Sequence, residues 1–223
     1  MHYIFLVLYL ITSVLHLTVS YKDDKDWRRR TKPLLLFFLI LFYVTAPQEK
    51  NVYLILALVF SWLGDILLMG KGNTMFTLGG ISFGLSHLFF ILTFTGFIIF
   101  EHVNLVYVIL LFTIYAVLSY IVIKLVKETT PKKMIVPMYV YLIFNTAMNL
   151  FAFMQTGFGN RVELTFSFTL VSYIGAALFF ISDCVLFIVR YYKDPDAIWK
   201  KHFTVMLTYL LAELLIVLGV LYR

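Results

Sequence analysis

The sequence predicts an all-α, polytopic membrane helix bundle folded as one domain, and three observations carry that prediction. Hydrophobic residues make up 62% of the 223-residue chain and charged ones only 13%, where a soluble domain holds about 25% charged residues. The mean hydropathy is +0.93, and the apolar runs approach the ~20 residues that a bilayer-spanning helix needs. The basic residues collect in alternate short connections, which is the charge pattern of membrane topology.

Eight helices are expected, at about 2–19, 33–46, 52–70, 75–100, 104–123, 134–154, 164–190 and 203–222. The first has no basic segment before its apolar run and no small-residue cleavage site, so it reads as a retained helix rather than a signal peptide. The loop after it, YKDDKDWRRRTK, ends at Lys32, and Pro33 then opens the second helix, which is short for a span. Pro137 similarly stands near the start of the sixth. Odd-numbered connections hold 15 of the 18 Lys and Arg. The positive-inside rule therefore makes them cytoplasmic and puts both termini on the opposite side, in a bacterial inner membrane or an endoplasmic reticulum membrane. Trp27, Trp199, Tyr191 and Tyr192 fall where an interfacial aromatic belt is expected.

The third helix carries Asp65 inside an otherwise apolar run, within Ser61-Trp62-Leu63-Gly64-Asp65-Ile66-Leu67-Leu68. An ionised carboxylate in hydrocarbon costs roughly 3 kcal/mol on insertion scales, so it persists where it faces the bundle interior and has partners. A similar stretch, Ile181-Ser182-Asp183-Cys184-Val185-Leu186, recurs 118 residues later in the seventh helix. Asp65 is five residues from Gly70 and Asp183 seven from Arg190, which sets both about 7–10 Å below one surface. Tyr139 and Tyr209 are expected at a similar depth, and His87, Asn145 and Glu213 nearer the midplane. The two Asp motifs are an even number of helices apart, the arrangement of a parallel four-plus-four duplication.

Shared faces support an inward polar layer. Gly80, Gly84 and His87 lie on one stripe of the fourth helix, which is expected to face a neighbouring helix, since small residues admit close approach. Ser172, Ala176, Phe179 and Asp183 share a face in the same way, and Ser61 is one turn from Asp65. The bland alternatives are specific. Buried aspartates also serve interhelical hydrogen bonds or ion pathways; a lone His87 is as often a satisfied core residue as a base; Tyr139 and Tyr209 are of a type more often interfacial than catalytic. Asn145 and Asn149 read as interhelical hydrogen-bonding residues, and Glu213 as a protonated interhelical donor. Ser61 and Ser182 lack a triad around them. No two histidines have zinc-ligand spacing, Gly70-Lys71-Gly72 is not a phosphate loop, and Cys184 alone makes no intrachain disulfide. No metal, cofactor or nucleic acid is expected, and the oligomeric state is open.

Lys32-Pro33-Leu34, Phe60-Ser61-Trp62-Leu63-Gly64-Asp65-Ile66-Leu67-Leu68, the Gly80–His87 stretch and Gly175-Ala176-Ala177-Leu178-Phe179-Phe180-Ile181-Ser182-Asp183 resemble the YhhN-type family of membrane proteins, which includes lysoplasmalogenases. The resemblance runs over essentially the whole chain. It departs at Glu213, where the family pattern has a glutamine four residues after the last-helix tyrosine. The resemblance implies hydrolysis of the vinyl ether bond of a lysoplasmalogen to a fatty aldehyde and a glycerophospho-amine, with Asp65 and Asp183 as the catalytic pair. Lys32, Ser61, His87, Tyr139, Asn145, Tyr209 and Glu213 are the supporting candidates, with Lys32 set to hold a substrate phosphate as a point charge. Two carboxyls suit such chemistry, as they do the oxocarbenium-like transition state of glycosidases. A proton-coupled carrier is the main alternative, since intramembrane Asp, Glu and His also form relays; an intramembrane aspartyl protease and a purely structural role rank below it.

Overall fold

The computed structural model describes residues 2–160, 168–194 and 196–223. Among the described residues the secondary structure is entirely helical. The helices are α1 (His2–Tyr21), α2 (Lys25–Thr45), α3 (Val52–Leu68), α4 (Gly72–Thr95), α5 (Leu105–Val126), α6 (Lys132–Met154), a single turn α7 (Gly157–Asn160), α8 (Phe168–Tyr191) and α9 (Lys201–Leu221). Six of them, α1, α4, α5, α6, α8 and α9, are long and apolar enough to cross a membrane. The chain is thus of multi-pass membrane type. α3 is also apolar but has only 17 residues, and α2 carries the basic segment in its first two turns.

The boundaries correct the expectation at several points. α2 starts eight residues before Pro33, because the Asp24 side chain caps the helix by accepting from the Trp27 backbone N–H at 3.1 Å. Such a cap satisfies one of the free amides of the first turn. Lys32 is therefore a helical residue, and Pro33 lies inside the helix rather than at its start. Pro137 is likewise internal to α6. The expected fourth helix ends five residues early, where Thr95-Gly96 gives way to a short 3-10 turn, Phe100–His102. The expected start of the seventh helix at residue 164, and the basic residue Arg161, lie outside the described residues. Trp27 and Trp199 are exposed, but Tyr191 is buried against the Phe76 ring, centroids 5.8 Å apart, and does not belong to an exposed belt.

Packing is most extensive between α8 and α9, α3 and α4, and α1 and α2. α8 and α9 approach backbone to backbone: a Cβ on Gly175 would lie 2.7 Å from the Ala212 carbonyl oxygen, and one on Gly219 would lie 2.6 Å from that of Phe168. Small residues at a membrane helix interface act in this way, since lipid offers no hydrophobic drive for association and contact must come from van der Waals fit. α1 is tied to α9 by the Tyr9 hydroxyl, which donates to the Leu210 carbonyl at 2.7 Å. α3 is tied to α2 by the Trp62 indole N–H, which donates to the Pro33 carbonyl at 2.7 Å. α5 lies at the edge, against α6 and α8, with most of its surface exposed. The α3–α4 and α8–α9 pairs occupy corresponding places in the two halves of the chain, whereas the extensive α4–α6 contact has only a slight counterpart in α2–α9.

Candidate active site

Asp65 on α3 and Asp183 on α8 are 2% and 6% exposed, so neither carboxyl meets bulk solvent. Each is held by its own set of donors. Asp65 pairs with the Lys32 ammonium of α2, Nζ to Oδ1 3.0 Å, and accepts from the Tyr209 hydroxyl of α9, 2.9 Å at Oδ2. Asp183 accepts from Tyr141 at 2.6 Å and from the Asn145 amide at 2.7 Å, both of α6 and both at Oδ2. Its Oδ1 takes no hydrogen bond from the described residues. The first carboxyl thus has a cation, the second only neutral donors.

Three rings connect the two groups. Phe83 of α4, Phe179 of α8 and Tyr209 of α9 pack edge to face, with centroids 5.4–6.2 Å apart and interplanar angles of 77–89°. That geometry sets a positive ring edge against a negative ring face and favours a fixed arrangement. Phe179 is one turn from Asp183 on the same helix face. The two carboxyls share no donor, and the rings lie between their partners. Gly64, in the Asp65 motif, is required by this cluster: a Cβ there would lie 2.6 Å from the Phe83 ring.

His87 is fully buried, with its Nε2 3.7 Å from Asp183 Oδ2 and its ring 5.2 Å from Tyr141 and 5.0 Å from Phe179. Neither ring nitrogen makes a hydrogen bond. The asparagines form a chain behind Asp183: Asn149 donates to Asn145 Oδ1 at 2.9 Å, and the Tyr115 hydroxyl donates to Asn149 at 2.9 Å. Such a chain locks the Asn145 amide so that its N–H₂ points at the carboxylate. Ser61 shares a 2.7 Å hydrogen bond with Ser86 on α4, and Ser182 donates to the Val205 carbonyl at 3.0 Å.

Three expectations change. Tyr139 is exposed and takes no part in the cluster, whereas Tyr141 makes the shortest contact to Asp183. Residues 139 and 145 are six apart and project about 120° from each other, whereas 141, 145 and 149 repeat every four residues on one face. That stripe was the missed signal. Lys32, expected to face a substrate phosphate, instead has its ion pair with Asp65, a carboxyl that does not line the groove. Glu213, expected to make an interhelical hydrogen bond, is fully buried with both oxygens unpaired, and the nearby Ser61 and Tyr209 hydroxyls do not meet hydrogen-bond geometry with it.

An apolar groove of about 420 Å³ lies between α4 and α6, with Asp183, Tyr141 and Phe187 at its base and Gly80 and Gly84 along one wall. α4 and α6 touch at Thr77–Met134 and again at His87–Tyr141. Between those contacts a side chain at Gly80 or Gly84 would meet nothing within 4 Å. The glycine stripe therefore opens a gap instead of closing one against a neighbouring helix. Its outer rim, including Ile81, Val136 and Val140, is exposed on the flank of the bundle, which is where lipid would stand. Asp65 does not line the groove. Among the described residues, no three His, Cys, Asp or Glu side chains converge as metal ligands.

No curated protein and no solved structure matches the chain. The model of the YhhN family matches residues 27–220, a stretch that contains Lys32, both aspartates, the two tyrosines that bind them and the groove, and the chain belongs to that family.

Proposed function

We propose that the protein is an intramembrane hydrolase that cleaves the vinyl ether bond of a lysoplasmalogen-like lipid. The observation that carries this reading is the Asp183 carboxyl at the base of a lateral apolar groove, oriented through Oδ2 by Tyr141 and Asn145 and with Oδ1 unclaimed. A vinyl ether is hydrolysed by protonation of its β-carbon, which turns the O–C=C unit into an oxocarbenium ion. Water adds to the cationic carbon and loses a proton, and the resulting hemiacetal collapses to an aldehyde and an alcohol. Asp183 is the group placed to give the first proton from Oδ1 and to take one back from the attacking water. Asp65 acts behind it: paired with Lys32, it fixes the Tyr209 hydroxyl, and Tyr209 packs on Phe179, one turn from Asp183. The Asp183 carboxylate left by proton transfer stands where the cation develops. Stabilising charge that forms only in the transition state, from groups already in position, is an effective use of a water-poor site. Family membership supports a hydrolase of this kind. The basic end of the bundle, where Arg190 and the α2 arginines lie, faces the cytoplasm under the positive-inside rule.

The experiment is to incubate the detergent-purified protein with a lysoplasmalogen and to quantify fatty aldehyde by mass spectrometry. Wild-type protein should release aldehyde, and Asp183→Asn and Asp65→Asn should lose that release while still melting cooperatively, Asp65→Asn at a lower temperature because it leaves Lys32 without its partner. Absence of aldehyde from folded wild-type protein across a panel of lyso-ether lipids would refute the reading. A proton-coupled carrier is the second reading, because His87 and Glu213 are buried titratable groups without hydrogen bonds. It predicts proton-dependent solute uptake into liposomes with no product formed.

A further inference from the structure

Beside the groove, towards the α8 C-terminus, an arginine that the proposed chemistry does not use stacks on one of its walls. The Arg190 guanidinium carbon sits 3.8 Å over the Phe76 ring, and Phe76 is itself a groove wall. Only Nη2 has protein acceptors, the Gly72 carbonyl at 3.3 Å and Asn73 Oδ1 at 3.4 Å, both long. Among the described residues no carboxylate pairs with Arg190. A guanidinium has five donors in a fixed fork, so Nη1 and Nε keep theirs free at the exposed end of the helix. Phe187, one turn before Arg190, lines the groove, and Asp183 lies one turn further in, about 10 Å from Arg190 along the axis.

We propose that this groove is entered sideways from the bilayer by the single aliphatic chain of a lysoglycerophospholipid, and that Arg190 holds the phosphate at its mouth. The inference rests on the lipid-hydrolase reading and adds where its substrate lies. Charge and shape agree on the occupant. A cation without a counter-ion stands at one end, an apolar trough of about 16 Å along α4 from Thr77 to Leu88 runs inward, and the carboxyl of Asp183, 3.7 Å from His87, lies towards its inner end. The volume is within the range of roughly 300–1,000 Å³ of small-ligand sites, and one chain suits a trough walled on one side by two glycines. Planar, bidentate recognition of phosphate is what arginine does better than lysine. Arg190 stacks on a groove wall, whereas Lys32 pairs with Asp65, away from the groove.

The test uses two probes that the enzyme does not cleave: a saturated-ether lysophosphatidylethanolamine, and the matching alkylglycerol without phosphate. Their binding to the full-length protein in nanodiscs is measured for wild type, Arg190→Gln and Gly84→Leu, with a thermal melt of each variant. Arg190→Gln should weaken the phosphate-bearing probe by roughly ten-fold, the worth of one charge-assisted contact, and leave the alkylglycerol unchanged. Gly84→Leu should weaken both probes by ten-fold or more, and Gly80→Leu serves in its place if the first variant melts early. Equal binding of the phosphate probe to Arg190→Gln and wild type, or of both probes to the leucine variants, would overturn the proposal. Because neither probe is hydrolysed, these outcomes are independent of turnover. Binding as described with no aldehyde from a lysoplasmalogen refutes the hydrolase reading alone.

Discussion

Lys32 and Asp65 form a 3.0 Å ion pair between α2 and α3, with the aspartate side chain 3% and the lysine 17% exposed. The pair ties the second helix to the third at the level of the Trp62–Pro33 hydrogen bond and gives a counter-charge to a carboxyl that would otherwise have only the Tyr209 hydroxyl. Removing one member of a buried pair leaves the other uncompensated, at a cost of about 3–5 kcal/mol. Lys32→Met should therefore lower the melting temperature in detergent, and Lys32→Met with Asp65→Leu should restore most of the loss while leaving the protein inactive. A double variant as unstable as the single one would show that the pair does not hold α2 against α3.

Tyr141 and Tyr139 form a controlled comparison on one helix. Tyr141→Phe deletes one of two donors at Asp183 Oδ2 without changing the ring that packs on His87 and Phe187. Loss of one preorganised donor at a reacting group costs on the order of 10²-fold in rate. The kcat for aldehyde release should fall by about that factor with little change in KM, and Tyr139→Phe should match wild type in both constants. Equal effects of the two substitutions would remove Asp183 from the proposed mechanism.

The bundle was legible because hydropathy and basic-residue placement are properties of the chain alone. Asp65 and Asp183 stood out because charge in an apolar run is costly wherever the helix ends up. Their partners were harder to read. Lys32 and Asp65 are 33 residues apart, and their meeting depends on α2 extending back to Lys25, which the charged loop concealed and the Asp24 cap explains. Tyr141 was readable from its four-residue spacing to Asn145 and Asn149, a stripe that outranks depth as a guide to facing. The groove was not readable at all. Gly80 and Gly84 signal closeness in most membrane helices, and only the placement of the Thr77–Met134 and His87–Tyr141 contacts decides that here they bound a space.

Gly64 links the first aspartate motif to the ring cluster. With a Cβ 2.6 Å from the Phe83 ring, Gly64→Ala forces that ring to move, and such overpacking costs typically about 1–3 kcal/mol. Phe83 touches both Phe179 and Tyr209, so the displacement should reach the Tyr209–Asp65 hydrogen bond and lower the rate as well as the melting temperature. Shortening the ring in the double variant Gly64→Ala, Phe83→Leu should recover much of the stability. A double-mutant cycle measures this, with a coupling of at least about 0.5 kcal/mol expected for residues in contact. Strict additivity would mean that Gly64 serves something other than the close approach of Phe83.

Glu213 has no hydrogen bond at either oxygen despite complete burial on α9. A buried polar group left unpaired costs roughly 1–3 kcal/mol, and replacing it by an apolar group of similar shape is neutral or stabilising. Glu213→Met keeps the length and flexibility of the side chain and removes the unpaired oxygens. Its melting temperature should rise above that of wild type by the equivalent of about 1 kcal/mol. Asp183 and Asp65 each have their own donors and none is Glu213, so aldehyde release should be kept to within about three-fold, since a change of that size is under 1 kcal/mol of barrier. Glu213→Gln keeps two unpaired polar atoms in place and should leave the melting temperature near that of wild type. If instead Glu213→Met melts earlier than wild type, the carboxyl has a stabilising partner and the unpaired reading of this group fails.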